Sequence, residues 1–300
     1  MSYPLPKILV YGANSAQGIP VVKQLLKEGY PVRVFVRDRD KAKSLFSESV
    51  EVATGTLEDK DSLKRANEGI DRVFLVLPIE CRFDVAITQG FNVIDAARDA
   101  EVELLVFNAS GSIPKQTTNA IAFETKRNVE QYLHKSGVPY IILRPTIYMD
   151  NLTAPWSIPS IVHQSVVAYP LPPDIKISWI SLDDTATFAI AALKRPELAG
   201  STFDIGGAEA VNGREIAERF TKVLNRPFTY QQIPIDGFEQ GLNQAFGEPM
   251  GTEIAKIYRW RDAHPEDGAI DVGAVLQKLP VNLTTFDQWI QGVKWTENSV

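Results

Sequence analysis

A turn of small residues follows the first apolar run of the chain. The run Lys7–Tyr11 ends at Gly12, and the order Gly-Ala-Asn-Ser-Ala-Gln-Gly then leads into residues with helical spacing. In a strand-to-helix turn, small residues let backbone N–H groups approach a pyrophosphate at the helix N-terminus. We therefore predict that dinucleotide binding involves Gly12, Asn14, Ser15, Ala16, Gln17 and Gly18. Ser15 could cap the helix and also donate its hydroxyl to a phosphate. A turn without a ligand is the alternative.

Basic residues follow the second apolar run, Val32–Val36. In this type of unit an acidic residue about 20 positions past the turn binds the ribose 2′-OH of NAD, whereas an arginine accommodates the 2′-phosphate of NADP. Arg37 is the next residue, and Lys41 is a weaker candidate for the same phosphate. The pattern favours NADP(H). There are two alternatives. Asp38 could bind the ribose after a small register shift, or the segment could be a solvated loop of mixed charge.

The elements that must position these residues alternate regularly through the first half of the chain. Short apolar runs at 7–11, 32–36, 50–53, 72–77, 104–108 and 140–143 predict strands. Helical patterns lie between them, at 19–26, 41–46, 59–66, 84–100 and 120–135. Nearly all-apolar strands that alternate with helices predict a parallel sheet covered on both faces. With right-handed crossovers this is an α/β, doubly wound Rossmann sheet.

The alternation breaks after Met149, where 151–173 is rich in proline and aromatic residues. We predict a strand at 175–180, a helix at 183–193 and a strand at 202–205, which complete the first domain. A helix at 213–224 and a strand at 228–233 follow, and the remainder is mainly helical. The expected division is a dinucleotide-binding domain at 1–150 and 176–206, and a smaller C-terminal substrate lobe at 151–175 and 207–300.

The composition excludes several classes of protein. The chain has 300 residues, 44% hydrophobic and 23% charged, with a net charge of −6, which is an ordinary globular balance. An acidic chain is a poor partner for nucleic acid or an anionic membrane surface. One cysteine and three histidines predict no metal cluster. The apolar runs fall short of the roughly 20 residues that span a bilayer. We expect a soluble, cytoplasmic protein that acts on a small molecule.

Taken together, these segments resemble the NmrA-like family of atypical short-chain dehydrogenase/reductases. The resemblance rests on the turn at 12–18, Arg37, the segment 73–78, Lys126-x-x-Val129-Glu130 and Arg144-Pro145. It implies an NADP(H) cofactor. By position in the family, the further cofactor-binding residues are Leu77, Pro78, Asn108, Lys126, Pro145, Thr146 and Ile147. The last three are expected to pass beside the nicotinamide.

The catalytic residues depart from the usual short-chain dehydrogenase pattern. Typical members carry Tyr-x-x-x-Lys on the helix after the fifth strand. Here Lys126 matches the lysine, but Ala122 stands where the tyrosine would be. The resemblance assigns Lys126 to the cofactor and to catalysis. The alternative is a surface lysine paired with Glu130 at i,i+4.

Two other hydroxyl groups are candidates for the catalytic site. Ser110 follows the fifth strand, as do Asn108 and Ser112, and any of these three residues could face the nicotinamide. Tyr148 could serve as a substitute acid, or it could be a wall residue.

The missing phenol bears on the reaction. Reduction of a simple ketone produces a strongly basic alkoxide and gains from a positioned acid. Reduction of a quinone yields a phenolate with a pKa near 10, which water or Lys126 could protonate. We therefore expect an NADPH-dependent reductase of a quinone-like or other conjugated acceptor. The alternative is a non-catalytic NADP(H)-sensing regulator that binds a protein partner. The sequence is compatible with a protein partner or with a homodimer.

Overall fold

A central parallel sheet organises the computed structural model, which describes residues 4–46 and 49–296. The strands in chain order are β1 (Ile8–Tyr11), β2 (Val32–Val36), β3 (Glu51–Thr54), β4 (Arg72–Val76), β5 (Leu104–Asn108), β6 (Tyr140–Pro145), β7 (Val166–Tyr169), β8 (Ser201–Ile205) and β9 (Thr229–Gln232). Seven of them form one sheet in the order β3-β2-β1-β4-β5-β6-β8, and β7 and β9 form a separate two-stranded sheet. The order reverses beside β1, as in doubly wound folds. The predicted Rossmann fold is confirmed.

Helices cover both faces of this sheet. They are α1 (Gly18–Lys27), α2 (Arg39–Leu45), α3 (Lys60–Asn67), α4 (Phe83–Asp99), α5 (Ile121–Lys135), α6 (Leu182–Leu193), α7 (Gly213–Leu224), α8 (Ile235–Phe246), α9 (Met250–Ala263), α10 (Gly273–Lys278) and α11 (Phe286–Gly292). Ile8 and Val10 of β1 pack with α1 and α6, while Leu9 and Tyr11 pack with α3, α4 and α5. Successive side chains of a strand point to opposite faces, so a sheet covered on both sides needs continuous apolar strands.

The predicted strand at 175–180 is wrong. The segment makes isolated bridges, from Ile177 to Val211 and from Ile180 to Tyr148, and joins neither sheet as a strand. The free edge of β6 is instead occupied by β8, which pairs with it in parallel from Ile141 onward. A second strand cannot use the same backbone groups, so 175–180 crosses the carboxyl end of the sheet as extended chain.

A second hydrophobic cluster lies beyond that end. It joins β7 with α7, α8, α9 and α11 through side chains such as Tyr169, Phe220 and Tyr258. In contrast, Val275 and Leu279 of α10 pack with the cluster around α1 and α6. We keep the division into 1–150 with 176–206 and 151–175 with 207–300 as a proposal. Residues 1–3, 47–48 and 297–300 of these ranges lie outside the described residues.

None of the helices in the described part of the chain is long and apolar enough to cross a membrane.

Candidate active site

The turn after β1 is held tight by its own residues. Gly12 has a φ of 74°, and a Cβ there would lie 2.5 Å from the Val76 carbonyl oxygen. A Cβ at Gly18 would strike the Gly12 carbonyl oxygen. The Ser15 hydroxyl oxygen accepts a hydrogen bond of 3.0 Å from the Gly18 N–H, as a capping side chain does. Glycine is therefore required at both ends of the turn.

Several backbone donors of this turn lack a protein acceptor. Within 4–46 and 49–296, no hydrogen bond engages the N–H groups of Asn14, Ala16 and Gln17. They precede the first turn of α1, where free N–H groups and the helix dipole favour an anion. This donor set fits the pyrophosphate of a dinucleotide.

The residues after β2 offer free positive charge. Arg37 and Lys41 are exposed, and neither forms an ion pair or side-chain hydrogen bond with the residues that the structure describes. The Asp38 carboxylate is engaged, because its Oδ1 accepts from the N–H groups of Asp40 and Lys41 at 2.9 and 3.0 Å and caps α2. The cations are thus available to a phosphate, whereas the carboxylate is already used by the helix.

Gln17 connects the turn to two other strands. Its Oε1 accepts hydrogen bonds from Asn108 Nδ2 at 2.9 Å, Ser110 Oγ at 3.0 Å and the Tyr148 hydroxyl at 2.9 Å. Ser110 adopts a φ of 56°, and its N–H donates to Asn108 Oδ1 at 2.8 Å. A left-handed backbone at a non-glycine residue is costly, and such residues often occur at functional sites. Here it directs the Ser110 hydroxyl to Gln17.

Tyr148 follows β6 and has its hydroxyl in the same network. Burial raises the pKa of its phenol far above the usual value, with the Asp150 charge adding to the rise. The phenol is therefore neutral at ordinary pH, and its O–H donates a hydrogen bond to Gln17 Oε1. To act as an acid it would have to give up that hydrogen bond.

Lys126 projects from α5 without a direct partner in the described part of the chain. Burial and the Arg261 charge together lower the pKa of its ammonium to about 8, while the Glu130 charge acts in the opposite direction. The alternative pairing with Glu130 is wrong, since Arg144 binds both carboxylate oxygens of Glu130, one of them at 2.9 Å from Nε. The other of these two contacts joins Nη2 of Arg144 to Oε2 of Glu130.

A cavity of about 320 Å³ lies between the carboxyl end of the sheet and helices α8 and α9. The predicted residues that line it are Gln17, Leu77, Pro78, Asn108, Ser110, Lys126, Thr146, Ile147 and Tyr148. Those outside its lining are Gly12, Asn14, Ser15, Ala16, Gly18, Arg37, Lys41 and Pro145. These residues follow β1 and β2 or end β6, at the same edge of the sheet. Ala122, the position of the missing phenol, also lines the cavity.

The opposite wall comes from α9, which the sequence analysis did not assign to the site. Ile254, Ile257, Tyr258 and Arg261 line the cavity, with Glu253 beside them. Their spacing of i, i+3, i+4 and i+7 places them on one helix face. In the sequence, an arginine on an otherwise apolar helix face could have indicated that α9 contributes to the site. Within the described residues, no group of three or more potential metal ligands is found.

Comparison with known proteins agrees with this geometry. The NmrA-like family matches residues 5–290. The chain is 31% identical to a (4-alkanoyl-5-oxo-2,5-dihydrofuran-3-yl)methyl phosphate reductase of Streptomyces griseus, over 81% of this chain and 83% of the relative. It is 27% identical to an NAD(P)H azoreductase of Xenophilus azovorans, over 84% and 86%. The structure of an NADPH-dependent quinone oxidoreductase from Escherichia coli, complexed with NADPH, has a TM-score of 0.78 at 24% identity and covers 94% of this chain and 98% of that one.

Together with these reductase relatives, the Rossmann sheet, the free donors of its first turn and the adjoining cavity identify an NAD(P)H-dependent oxidoreductase. Within that class, the chain belongs to the NmrA-like family.

Proposed function

We propose that the protein is an NADPH-dependent reductase that transfers a hydride to a quinone-like or other conjugated small molecule. One observation carries this proposal: the unpaired Lys126 ammonium and the Ala122 methyl group line the same cavity at the carboxyl end of the sheet. A positive charge is present where the reaction develops negative charge, and the phenol used for ketones is replaced by a methyl group.

NADP(H) is the cofactor that fits these residues. The N–H groups of Asn14, Ala16 and Gln17 bind the pyrophosphate, and Arg37 with Lys41 binds the 2′-phosphate. By family position, Leu77, Pro78 and Asn108 also bind the cofactor, and Pro145, Thr146 and Ile147 pass beside the nicotinamide. When bound, NADPH supplies the hydride.

Lys126 has two tasks in this reaction. Its ammonium stabilises the oxyanion that develops on the acceptor, and an electrostatic contact of this kind is strongest in a site that excludes water. Hydride addition to a quinone leaves a phenolate with a pKa near 10. The Lys126 ammonium, with a pKa of about 8, is a stronger acid and can protonate that oxygen from Nζ. The amine then regains its proton from solvent.

Ser110 and Tyr148 orient this site through Gln17. Both hydroxyl groups donate to the same amide oxygen, which keeps the turn, β5 and β6 in register around the cavity. When the acceptor binds, the Ser110 hydroxyl can rotate away from Gln17 and donate a hydrogen bond to the oxygen of the acceptor. We assign Tyr148 a positioning role, because burial raises its pKa and makes its phenol a weak acid.

The test is a panel of acceptors with NADPH. We expect 1,4-naphthoquinone and a simple azo dye to be reduced, and cyclohexanone to react at least about 100-fold more slowly, the contribution of a positioned acid. Equal rates for cyclohexanone and the quinone would overturn the proposed acceptor class. Tight NADPH binding without turnover of any acceptor would favour the regulatory alternative. A cytoplasmic location and a homodimer or protein partner stay predictions, to be checked by cell fractionation and light scattering.

A further inference from the structure

Arg261 of α9 brings a second positive charge to the cavity. Its side chain is 8% exposed and lines the cavity wall. Its Nη2 donates a hydrogen bond of 3.1 Å to the Ser112 hydroxyl, and no carboxylate of the described residues forms an ion pair with it. A buried charge is costly unless it is paired. The guanidinium therefore has binding capacity that the protein itself does not use.

The acidic residues of the cavity are engaged elsewhere. Glu253 accepts hydrogen bonds from the Ile121 N–H at 2.8 Å and from Lys256 Nζ at 2.6 Å. Glu80 forms an ion pair with Arg82 at 2.7 Å. Neither carboxylate forms an ion pair with Arg261, and the Asp267 charge acts on the guanidinium without an ion pair among the described residues. The guanidinium can therefore bind the negative charge of a substrate.

Two further polar groups, both on α5, line the same cavity as Arg261. Lys126 also forms no ion pair with the described residues, and burial together with the Arg261 charge lowers its pKa to about 8. The Thr125 hydroxyl is buried, lacks a hydrogen-bond partner and belongs to a residue that lines the cavity. The cavity thus offers a planar guanidinium, a hydroxyl and an ammonium, which are the donors that oxyanions bind.

We propose that the acceptor carries an oxyanion substituent, such as a sulfonate, carboxylate or phosphate, which binds Arg261 and Thr125. Its conjugated part then lies against the apolar walls, beside Ile254 and Ile257. This inference rests on the proposed reductase function and adds the charge of the substrate to it.

The first test compares 1,4-naphthoquinone with its 2-sulfonate. We expect Arg261→Met to lower kcat/KM for the sulfonate relative to the neutral quinone by about 10- to 100-fold, the range of a hydrogen bond to a charged group. Because each enzyme is measured with both quinones, their different intrinsic reactivities cancel. Arg259→Met is the matched control, since this arginine lies on α9 outside the cavity and pairs with Asp236 and Glu239. It should leave the ratio unchanged.

The second test measures binding without turnover. With NADP⁺ present, naphthalene-2-sulfonate should bind the wild-type protein at least tenfold more tightly than naphthalene-2-methanol in calorimetry. Arg261→Met should remove that difference. If Arg261→Met does not fold, the wild-type comparison alone decides the question.

The outcomes separate the two proposals. Reduction of both quinones with an unchanged ratio in Arg261→Met would overturn the anion site and leave the reductase function standing. Equal binding of the two naphthalenes by the wild-type protein would also overturn the anion site. Reduction of neither quinone nor any other acceptor of the panel, with sulfonate binding that depends on Arg261, would overturn the reductase function and support the anion site.

Discussion

Lys126 carries its charge into an apolar cavity, and its reactivity follows from that position. Burial disfavours the charged form and brings the pKa to about 8. The proposed reaction needs the ammonium, so kcat/KM for NADPH, which reports the free enzyme, should fall as the pH rises through about 8. Lys126→Met should lower kcat by about 10²-fold and abolish that fall.

The control for Lys126 is Lys135→Met, which removes an exposed lysine from the end of the same helix. It should retain both the rate and the pH profile. A wild-type profile that stays flat between pH 6 and 10 would contradict the assigned role.

Arg37 is the residue expected to select the cofactor. Its exposed guanidinium matches the geometry of a phosphate, so Arg37→Ala should weaken NADPH binding by about 1.5–3 kcal/mol, as measured by fluorescence titration. NADH affinity should change little. Arg39→Ala is the control, because Arg39 donates to the Val52 carbonyl at 3.0 Å. Equal losses for NADPH and NADH would mean that Arg37 only shapes the loop.

Ala122 is the position from which a phenol is missing. Ala122→Tyr would place a hydroxyl one helical turn from Lys126, within the same cavity. We expect cyclohexanone reduction to increase by about tenfold or more, because the strongly basic alkoxide gains from a second positioned acid. Quinone turnover should change little, because Lys126 already supplies the proton to the less basic phenolate. Ala122→Phe adds the ring without the hydroxyl. A similar gain with Ala122→Phe would show that bulk, rather than acid catalysis, is responsible.

At the scale of elements, the strand-to-helix turn depends on Gly12. Gly12 and Gly29 both have positive φ angles, of 74° and 81°, but a Cβ at Gly29 would meet no atom within 4 Å. Gly29→Ala should therefore cost about 1–2 kcal/mol of unfolding free energy, from the backbone alone. Gly12→Ala should cost about 1–3 kcal/mol more, because its Cβ overlaps the Val76 carbonyl. Urea denaturation of the two variants measures the difference, and equal losses would contradict the close approach of β1 and β4.

An ion pair between Glu130 and Arg144 joins helix α5 to β6. Glu130 is 3% exposed and both of its oxygens bind Arg144, 14 positions further along the chain. This pair draws Glu130 away from Lys126, although i,i+4 spacing would allow the two to meet on an isolated helix. The free ammonium of Lys126 is thus a consequence of how the helix docks on the sheet.

At the scale of the whole molecule, cofactor binding should stabilise the fold. A ligand at 100 times its Kd adds about 2.7 kcal/mol to the free energy of unfolding. For a chain of this length that corresponds to a rise in Tm of about 4 °C, measured by calorimetry. NADPH should raise the Tm more than NADH at the same concentration. No shift with either cofactor would contradict the dinucleotide site.

The sequence predicted the elements whose signals are local. Continuous apolar runs, the helical patterns between them and the small residues of the first turn depend on neighbours in the chain, so the sheet, its class and the turn at 12–18 could be predicted. Local signals could not show whether 175–180 forms a strand, because that depends on which segment pairs with the edge of β6. The segment that pairs with β6 is β8, which lies later in the chain.

The tertiary structure alone decided how charges meet. Arg261 and Lys126 lie on helices far apart in the chain, and they share one cavity because α9 packs across the carboxyl end of the sheet. Asp38 is used as a helix cap and Glu130 as a partner of Arg144, which leaves Arg37 and Lys126 without an ion pair among the described residues. Charge and hydrogen-bonding type are properties of a residue, but whether a charge is neutralised depends on contacts across the fold. Those contacts follow from packing, which no local pattern records.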